Sequence, residues 1–566
     1  MAVKGMFSII IPIYKLFELK KDYYELDKSI ESVLDQDYKN YEIIVCVNGP
    51  IRERIRKHVE KTYHDIEALK IVVIDKANAA IARNAGADIA TGEFYSFLSG
   101  DTYLKPGALT IWKQAFDDNP KASMVYSDID YAKNGEYSGK RGYVPDYDRY
   151  AHECFNCIDG AMPCRSKYFE PWYPEVTALQ DWAWSLGVTK HAPAVKIPDV
   201  CYMGELPKEG GLSDTFSKNW KKLNKQIRKI HGIPERKIVV TSVGAPFHAL
   251  RTAKLFGADY LSPQLLGNDH DYDVVYLLGY YTNNLPIHNL VFSKCKVDCI
   301  RVIHWIGTDI LQMMGLSWEA NVNICDVLNE YVDIQLAECD ITASELKRMQ
   351  LNINTLPLPL DTTDYKFIVE KPKKFTVAVY VPGFEQLHYM KYNIQAILDI
   401  AKAMPDVKFL FFGVKGDIPD VALPNLEVRG WVDIKDVARD STVLLRFTPH
   451  DGLPIGPVEF VMMGREALTS IPVPGARYIG SGRISEHTAS RRKSEVIEAI
   501  RLVQKKPLSL KARKDNARQW KEKLAPATVK KTFDAFISQR LKQLKKQWKK
   551  IAEDKQKKKG KNNGKK

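Results

Sequence analysis

Residues 82–101 read ARNAGADIATGEFYSFLSGD. The first half carries helical apolar spacing, Gly92-Glu93 breaks it, and FYSFLS (94–99) is a short β-rich run ending in Ser99-Gly100-Asp101. The same alternation continues on either side from residue 7 to about 130: FSIIIPIY (7–14), a helix through Ile30 and Val33, YEIIVCVN (41–48), a second helix, and LKIVVID (69–75). Strands separated by helices require right-handed crossovers and predict a mostly parallel, doubly wound α/β sheet. In such sheets a ligand lies beyond the carboxyl ends of the strands, where Ser99-Gly100-Asp101 falls.

The alternation resumes twice more. KIVVTSVG (237–244), YDVVYLLG (272–279) and CIRVIHWIG (299–307) form one series, and FTVAVYVPG (375–383), VKFLFFG (407–413) and STVLLRFTP (441–449) form another. Between them LPLPLDTTDY (356–365) reads as a connection, because Pro357 and Pro359 block both helix and central strand. A chain of 566 residues is too long for one core at ~100–200 residues per domain. The predicted domains are 1–215, a linker at 216–236, Rossmann-like units at 237–365 and 366–510, a basic helical region at 511–552 and a disordered lysine-rich tail at 553–566.

With 45% hydrophobic and 27% charged residues the composition is globular and excludes a wholly disordered chain. Nine cysteines in so long a chain point to a reducing, cytoplasmic setting; Cys154, Cys157 and Cys164 lie close together, but no second CxxC or histidine pair completes a zinc site. The opening MAVKGMFSIIIPIYK has an apolar run of only about eight residues, too short for a signal segment, and no stretch reaches the ~18 apolar residues of a membrane span. The formal charge is +14, from 83 Lys/Arg and 69 Asp/Glu. Thirteen of those basic residues and two of the acidic ones lie in 540–566, a net of +11, so the preceding 539 residues carry 70 basic and 67 acidic groups, or +3. No nucleic-acid-binding motif accompanies that charge. Val529, Phe533, Phe536, Ile537, Leu541, Leu544, Trp548 and Ile551 trace one face of a helix whose other face is lysine. A basic amphipathic helix with a lysine tail predicts peripheral attachment to an anionic membrane, with a coiled-coil or oligomer helix as the alternative.

Taken together, SIESVLDQDYKNYEIIVCVNG (29–49), residues 82–101 and PGAL (106–109) resemble family 2 glycosyltransferases of the GT-A fold, over roughly residues 6–215. The resemblance implies that Pro12, Tyr14 and Asn48 flank the nucleobase, with Asn48 where the family usually has Asp, and that Arg83 places sugar or phosphate. It also implies that Asp101, last residue of a reduced DxD motif (Ser99-Gly100-Asp101), contacts ribose and holds Mn²⁺ or Mg²⁺, hard cations suited to oxygen ligands. Gln180-Asp181-Trp182 matches the family's Glu-Asp-Trp motif, so Asp181 is the expected base for an inverting transfer.

The third alternation resembles the family 4, GT-B pattern: in PHDGLPIGPVEFVMMG (449–464) an acidic residue, Asp451, precedes Glu459 by eight positions. The resemblance makes Asp451, Glu459 and Lys391 donor-binding, with Glu459 on the ribose, and implies no metal; Pro382-Gly383 occupies the loop where the family's arginine would stand. HWIGTD (304–309) and TASELKRM (342–349) resemble acceptor-side and inter-domain elements, with His304 a candidate acceptor contact and a core histidine the alternative. The resulting expectation is a two-module glycosyltransferase acting on nucleotide-sugar donors and a glycan or lipid-linked acceptor, or one active module beside a sugar-binding or scaffold module.

Overall fold

The computed structural model describes residues 2–14, 24–206, 212–266, 271–293, 295–296, 298–415, 423–485 and 487–563. The chain divides into two compact units, Met1–Glu235 and Arg236–Lys566.

In the first unit Val3–Ile13 is an interior strand of a seven-stranded sheet. It runs parallel to Tyr41–Val47 on one side and Gly92–Phe97 on the other, so the order of strands reverses across it. Leu69–Val73 extends the first side; Cys164–Arg165, antiparallel, then Met124–Tyr126 and Ala194–Lys196 extend the second. The sequence of the opening stretch explains the packing here. Helix Ala79–Ile89 is capped by the Asn78 side chain, which accepts from the N–H groups of Ala80 (2.9 Å) and Ile81 (3.2 Å). A Cβ at Gly86 would lie 2.5 Å from Ile10 Cγ2 and 2.6 Å from Cys46 Sγ, so only glycine lets this helix sit so close to the sheet. Beneath the sheet Phe94 and Phe116 stack at 4.4 Å.

A smaller sheet, Thr102–Leu104, Tyr202–Glu205, Ile129–Lys133 and Glu136–Gly142, grows directly from the Asp101 end. Residues 216–236, expected to be a linker, instead lie largely in a helix, Leu212–His231, that belongs to the first unit. The physical reason is legible: Leu223 and Ile227 are buried, Ile227 and Ile233 pack with Trp182, Ala183 and Leu186, and Trp220 stacks on Trp182 at 5.7 Å. The first domain therefore ends at Glu235, not at residue 215.

The second unit holds two six-stranded sheets, ordered Asp259–Tyr260, Ile238–Thr241, Val274–Leu278, Ile300–Trp305, Ile334–Ala337, Ile353–Thr355 and Leu426–Gly430, Lys408–Val414, Thr376–Tyr380, Val443–Arg446, Glu466–Thr469, Arg477–Tyr478. All their pairings are parallel. The proline-rich connection is not a free tether: Leu356, Leu358 and Leu360 are buried, and Leu360 N–H donates to the Leu524 carbonyl at the end of helix Leu510–Leu524.

The last helix, Pro526–Asn563, departs from expectation twice. It continues through most of the stretch expected to be disordered, over lysines of good helix propensity; residues 564–566 lie outside the described residues. Its proximal apolar face is covered by the fold itself. Val529 and Phe533 are buried, Phe533 packs on Phe256 (5.2 Å) and Tyr276 (5.4 Å), and Arg540 pairs with Asp333 at 3.0 Å. Only the segment after Arg540 is left for an external surface, and the side chains of Trp548 and Ile551 lie outside the described residues.

Candidate active site

The carboxyl ends of Val3–Ile13, Tyr41–Val47 and Gly92–Phe97 open on one edge of the first unit, at the reversal of strand order where a crevice forms. Asn48 follows the second of these strands and is 1% exposed. Its Nδ2 donates to the carbonyls of Asn78 (3.0 Å) and Lys76 (3.4 Å), which fixes the amide plane and leaves Oδ1 buried with no protein partner. A buried, unsatisfied carbonyl oxygen is costly in an empty site and well suited to a ligand N–H. Beside it, a Cβ at Gly49 (φ +86°) would lie 2.7 Å from the Tyr14 ring, so glycine lets Tyr14, itself 46% exposed, close over the strand end.

Arg83 projects from helix Ala79–Ile89. It lies 4.2 Å from the Trp172 ring centre and donates through Nη1 to Gln180 Oε1 (2.8 Å). Trp172 is fixed in turn by Trp184, stacked at 4.7 Å, and by Phe97 at 5.2 Å. Burial lowers the Arg83 guanidinium to about 10, opposed by the charges of Asp181, Asp159 and Asp101, so three carboxylates address this one cation.

Asp181 stands in the first turn of helix Gln180–Val188, entered through Leu179 in the left-handed region (φ 57°). A non-glycine residue there is strained, and such strain collects at functional sites. Its Oδ2 accepts from Asn156 Nδ2 at 2.6 Å. Burial raises the Asp181 carboxyl, against the Trp182 N–H, Asn156 and Arg83, which favour the ionised form. Asp159 is raised to about 6 by shielding of its carboxyl and by the Asp181 charge, while the Ala161 N–H (2.8 Å) opposes this. Two neighbouring carboxyls raised by burial beside a guanidinium are suited to exchanging a proton with a hydroxyl.

Among the described residues no three His, Cys, Asp or Glu side chains converge on a metal position. The Ser99-Gly100-Asp101 end offers one carboxylate. That donor set fits Mg²⁺ or Mn²⁺ shared with a diphosphate, since Mg²⁺ is usually held by one or two carboxylates with phosphate and water oxygens.

In the second unit Glu459 lies on helix Ile455–Met462 and accepts from the Tyr365 hydroxyl at 2.6 Å; burial raises its carboxyl. Asp451 is paired with Arg446, Oδ2 to Nε 2.7 Å and to Nη2 2.5 Å. Lys391 donates to Thr308 Oγ1 of the other half at 3.3 Å. Leu453 N–H reaches Glu338 (3.4 Å) and His450 meets Glu345 (3.0 Å), so the Asp451 loop bridges the two halves. His304 does not line this cleft. It is wholly buried, bonded through Nδ1 to the Tyr276 hydroxyl and lowered to about 3 by burial, so the acceptor contact expected of it is corrected to a core histidine.

Sequence reasoning brought Asn48, Arg83, Asp101 and Asp181 to one edge and missed Asn156, Asp159 and Trp172. These come from the irregular stretch between Cys154 and Gln180, where no periodicity announces a role.

Curated relatives match about a quarter of the chain. The amylovoran biosynthesis glycosyltransferase AmsB of Erwinia amylovora is 22% identical over 159 residues, 27% of this chain and 51% of that protein. The GalNAc(5)-diNAcBac-PP-undecaprenol beta-1,3-glucosyltransferase of Campylobacter jejuni is 30% identical over 139 residues, 24% of this chain and 42% of that protein. The chain thus spans about half or less of the length of these relatives. Among solved structures, Anabaena HepE in complex with UDP and glucose aligns with 54% of this chain and 100% of its own at 11% identity and a TM-score of 0.41. Residues 8–171, all within the first unit, match the family described as Glycosyl transferase family 2.

Proposed function

We propose that the Met1–Glu235 unit moves a glycosyl group, with inversion, from a nucleotide-sugar to a hydroxyl of a glycan acceptor. The observation that carries the reading is the gathering of the open Asn48 amide oxygen, the Arg83 guanidinium and the raised Asp181 carboxyl on the ligand edge of a family 2 domain. Asn48 Oδ1 takes an N–H of the base, which favours a uracil- or guanine-type ring over one with only a bare nitrogen at that edge. Tyr14 and Pro12 flank the ring. Asp101 binds ribose and, with the diphosphate, a divalent cation; when bound, that cation supplies counter-charge to the phosphates. Asp181 accepts the acceptor's hydroxyl proton as the oxygen bonds to the anomeric carbon and the bond from that carbon to the diphosphate oxygen breaks. Arg83 shares the negative charge that collects on the departing nucleoside diphosphate.

The same reading makes the Arg236–Lys566 unit a second, GT-B-type donor site that needs no metal, with Glu459 on the ribose and Lys391 beside the diphosphate. The Lys391–Thr308 and Leu453–Glu338 contacts between its halves support a cleft there. The Arg446–Asp451 pair favours a second reading, in which only the first unit turns over and the second binds sugar nucleotide or serves as scaffold.

Among the described residues no helix is long and apolar enough to cross a membrane. The segment after Arg540, with twelve lysines and two acidic residues in 541–566, a net of +10, supports peripheral attachment to an anionic membrane, where an undecaprenol-linked acceptor like that named for the Campylobacter relative would be met. A panel of nucleotide-sugars assayed for donor hydrolysis by the full chain, by Asp101→Ala and by Glu459→Ala tests both sites. Loss in Asp101→Ala alone selects the one-module reading, and loss in neither overturns the proposal.

A further inference from the structure

A charged feature of the Arg236–Lys566 unit lies away from its cleft. Residues 371–374 and 505–514 hold eight Lys/Arg and no acid, in a chain whose first 539 residues carry a net of only +3. The fold brings these two stretches to one place. Phe375 precedes strand Thr376–Tyr380, Thr442 precedes Val443–Arg446 and Arg465 precedes Glu466–Thr469, so all three mark the amino edge of the second parallel sheet, opposite the carboxyl edge that bears the Asp451 loop. A cavity of about 300 Å³ opens at this amino edge, with Lys371, Arg465, Glu466, Leu508 and Arg513 in its wall.

The bonds made by its two guanidiniums do not neutralise them. Arg465, 5% exposed, donates through Nε to the Ala438 carbonyl (2.6 Å) and through Nη1 to the Glu370 carbonyl (2.7 Å). Arg513 donates through Nη1 to the Gly464 carbonyl at 2.9 Å, one residue from Arg465. Backbone oxygens thus fix both side chains without cancelling their charge. Burial and the Arg513 charge lower the Arg465 guanidinium, against the charge of Glu370. The carboxylate in the wall, Glu466, is committed elsewhere: Oε2 accepts from Arg477 Nε (3.0 Å) and Oε1 from the Leu508 N–H (2.7 Å). Helix Leu510–Leu524 begins beside the cavity with Lys511 and no acid in its first turn, so its dipole adds to the positive field.

We infer that this amino-edge cavity binds a phosphate or diphosphate group, held by Arg513 and Lys371 in the field of Arg465. Among the described residues Arg513 spends a single N–H, on Gly464, and the rest of its planar fork matches a pair of phosphate oxygens. The site lies on the sheet edge opposite the donor cleft, so it stands whether or not that cleft binds a nucleotide-sugar. The group comes either from a soluble phosphate ester or from a lipid headgroup, which share this chemistry and separate in the test. Arginines that served only as braces for the Ala438 and Gly464 carbonyls would not respond to added phosphate.

The test follows hydrogen–deuterium exchange of peptides covering residues 367–376 and 503–515 in the full chain, a readout local to the cavity. The chain is titrated with pyrophosphate, with inorganic phosphate, with phosphatidylcholine vesicles containing phosphatidic acid, and with sodium chloride at matched ionic strength. A phosphate source should protect both peptides and chloride should not. Half-saturation should come at a concentration at least ~10-fold higher in Arg513→Gln, the loss of a charge-assisted hydrogen bond, and several-fold higher in Lys371→Gln. Lys371 is exposed, so its variant decides the matter if Arg513→Gln melts well below the parent. Protection by pyrophosphate or phosphate assigns a free ligand, and protection by vesicles alone assigns a lipid headgroup. Equal protection by chloride, half-saturation unchanged in a folded Arg513→Gln or, failing that, in Lys371→Gln, or no protection by any phosphate source overturns the site.

Discussion

Replacing Asn156 with alanine should move the pH dependence of the first unit in a direction that can be fixed in advance. Asn156 Nδ2 donates to Asp181 Oδ2 at 2.6 Å and is one of the groups that favour the ionised carboxylate against the burial that raises it. A hydrogen bond to a charged group contributes about 1.5–3 kcal/mol. Its loss should lift the carboxyl by about one to two pH units, at 1.36 kcal/mol per unit. A general base works only when deprotonated, so the rate falls as pH drops through its pKa, and raising that pKa carries the acid limb upward. On the acid limb, Asn156→Ala should therefore lose roughly 10- to 100-fold in kcat/KM, with a much smaller loss on the alkaline plateau. The assay is nucleoside diphosphate release from a hydrolysed donor between pH 5 and 9, with nucleotide affinity measured alongside. An acid limb that stays in place, in a variant that still binds nucleotide, would refute Asp181 as the base or Asn156 as its partner.

Other expectations follow from the same contacts. Gly49→Ala places a methyl against the Tyr14 ring and a side chain at φ +86°, which should weaken nucleotide binding by about ten-fold and destabilise the first unit by ~1–2 kcal/mol, read by calorimetric titration and thermal melting. Phe533→Ala removes a fully buried ring from the contact with Phe256 and Tyr276 and should cost about 3–5 kcal/mol, seen as a lower melting temperature of the second unit. Truncation after Arg540 spares that contact. It should leave melting unchanged while abolishing co-sedimentation with phosphatidylserine liposomes, and retained sedimentation would refute attachment through the tail. His304 and His288 are held neutral, at about 3 and about 4, by burial. Both bind a proton on unfolding below about pH 6.5, so stability should fall from pH 7 toward pH 4, and more shallowly in His304→Phe.

How much of this was legible depended on whether a residue's role is local. The strand ends Asn48 and Asp101 were readable because a β-rich run that stops at a polar residue fixes where the sheet's ligand edge lies. Gly86 was visible only as a glycine in a helix until Ile10 and Cys46 beneath it gave its reason. The helix at 212–231 has the apolar spacing of Trp220, Leu223, Ile227 and Ile230, yet its lysines suggested a solvated linker; only the Trp182 face shows what it covers. The final helix carried the same ambiguity. Its periodicity predicted an apolar face, but sequence does not say whether a membrane or Phe256 meets it. Arg446 was illegible for a third reason: it packs on the ring of Tyr392, at the end of helix Gln386–Lys391, which nothing local to Arg446 places beside it.

The most direct test of the central claim compares the unaltered chain with Asp181→Asn in a nucleotide-sugar hydrolysis panel, with nucleoside diphosphate affinity measured on both and the second unit silenced by Glu459→Ala. The account predicts that one nucleotide-sugar is turned over by the parent, that Asp181→Asn lowers turnover by at least ~100-fold, and that nucleotide affinity stays within about two-fold. Turnover that survives Asp181→Asn would contradict it.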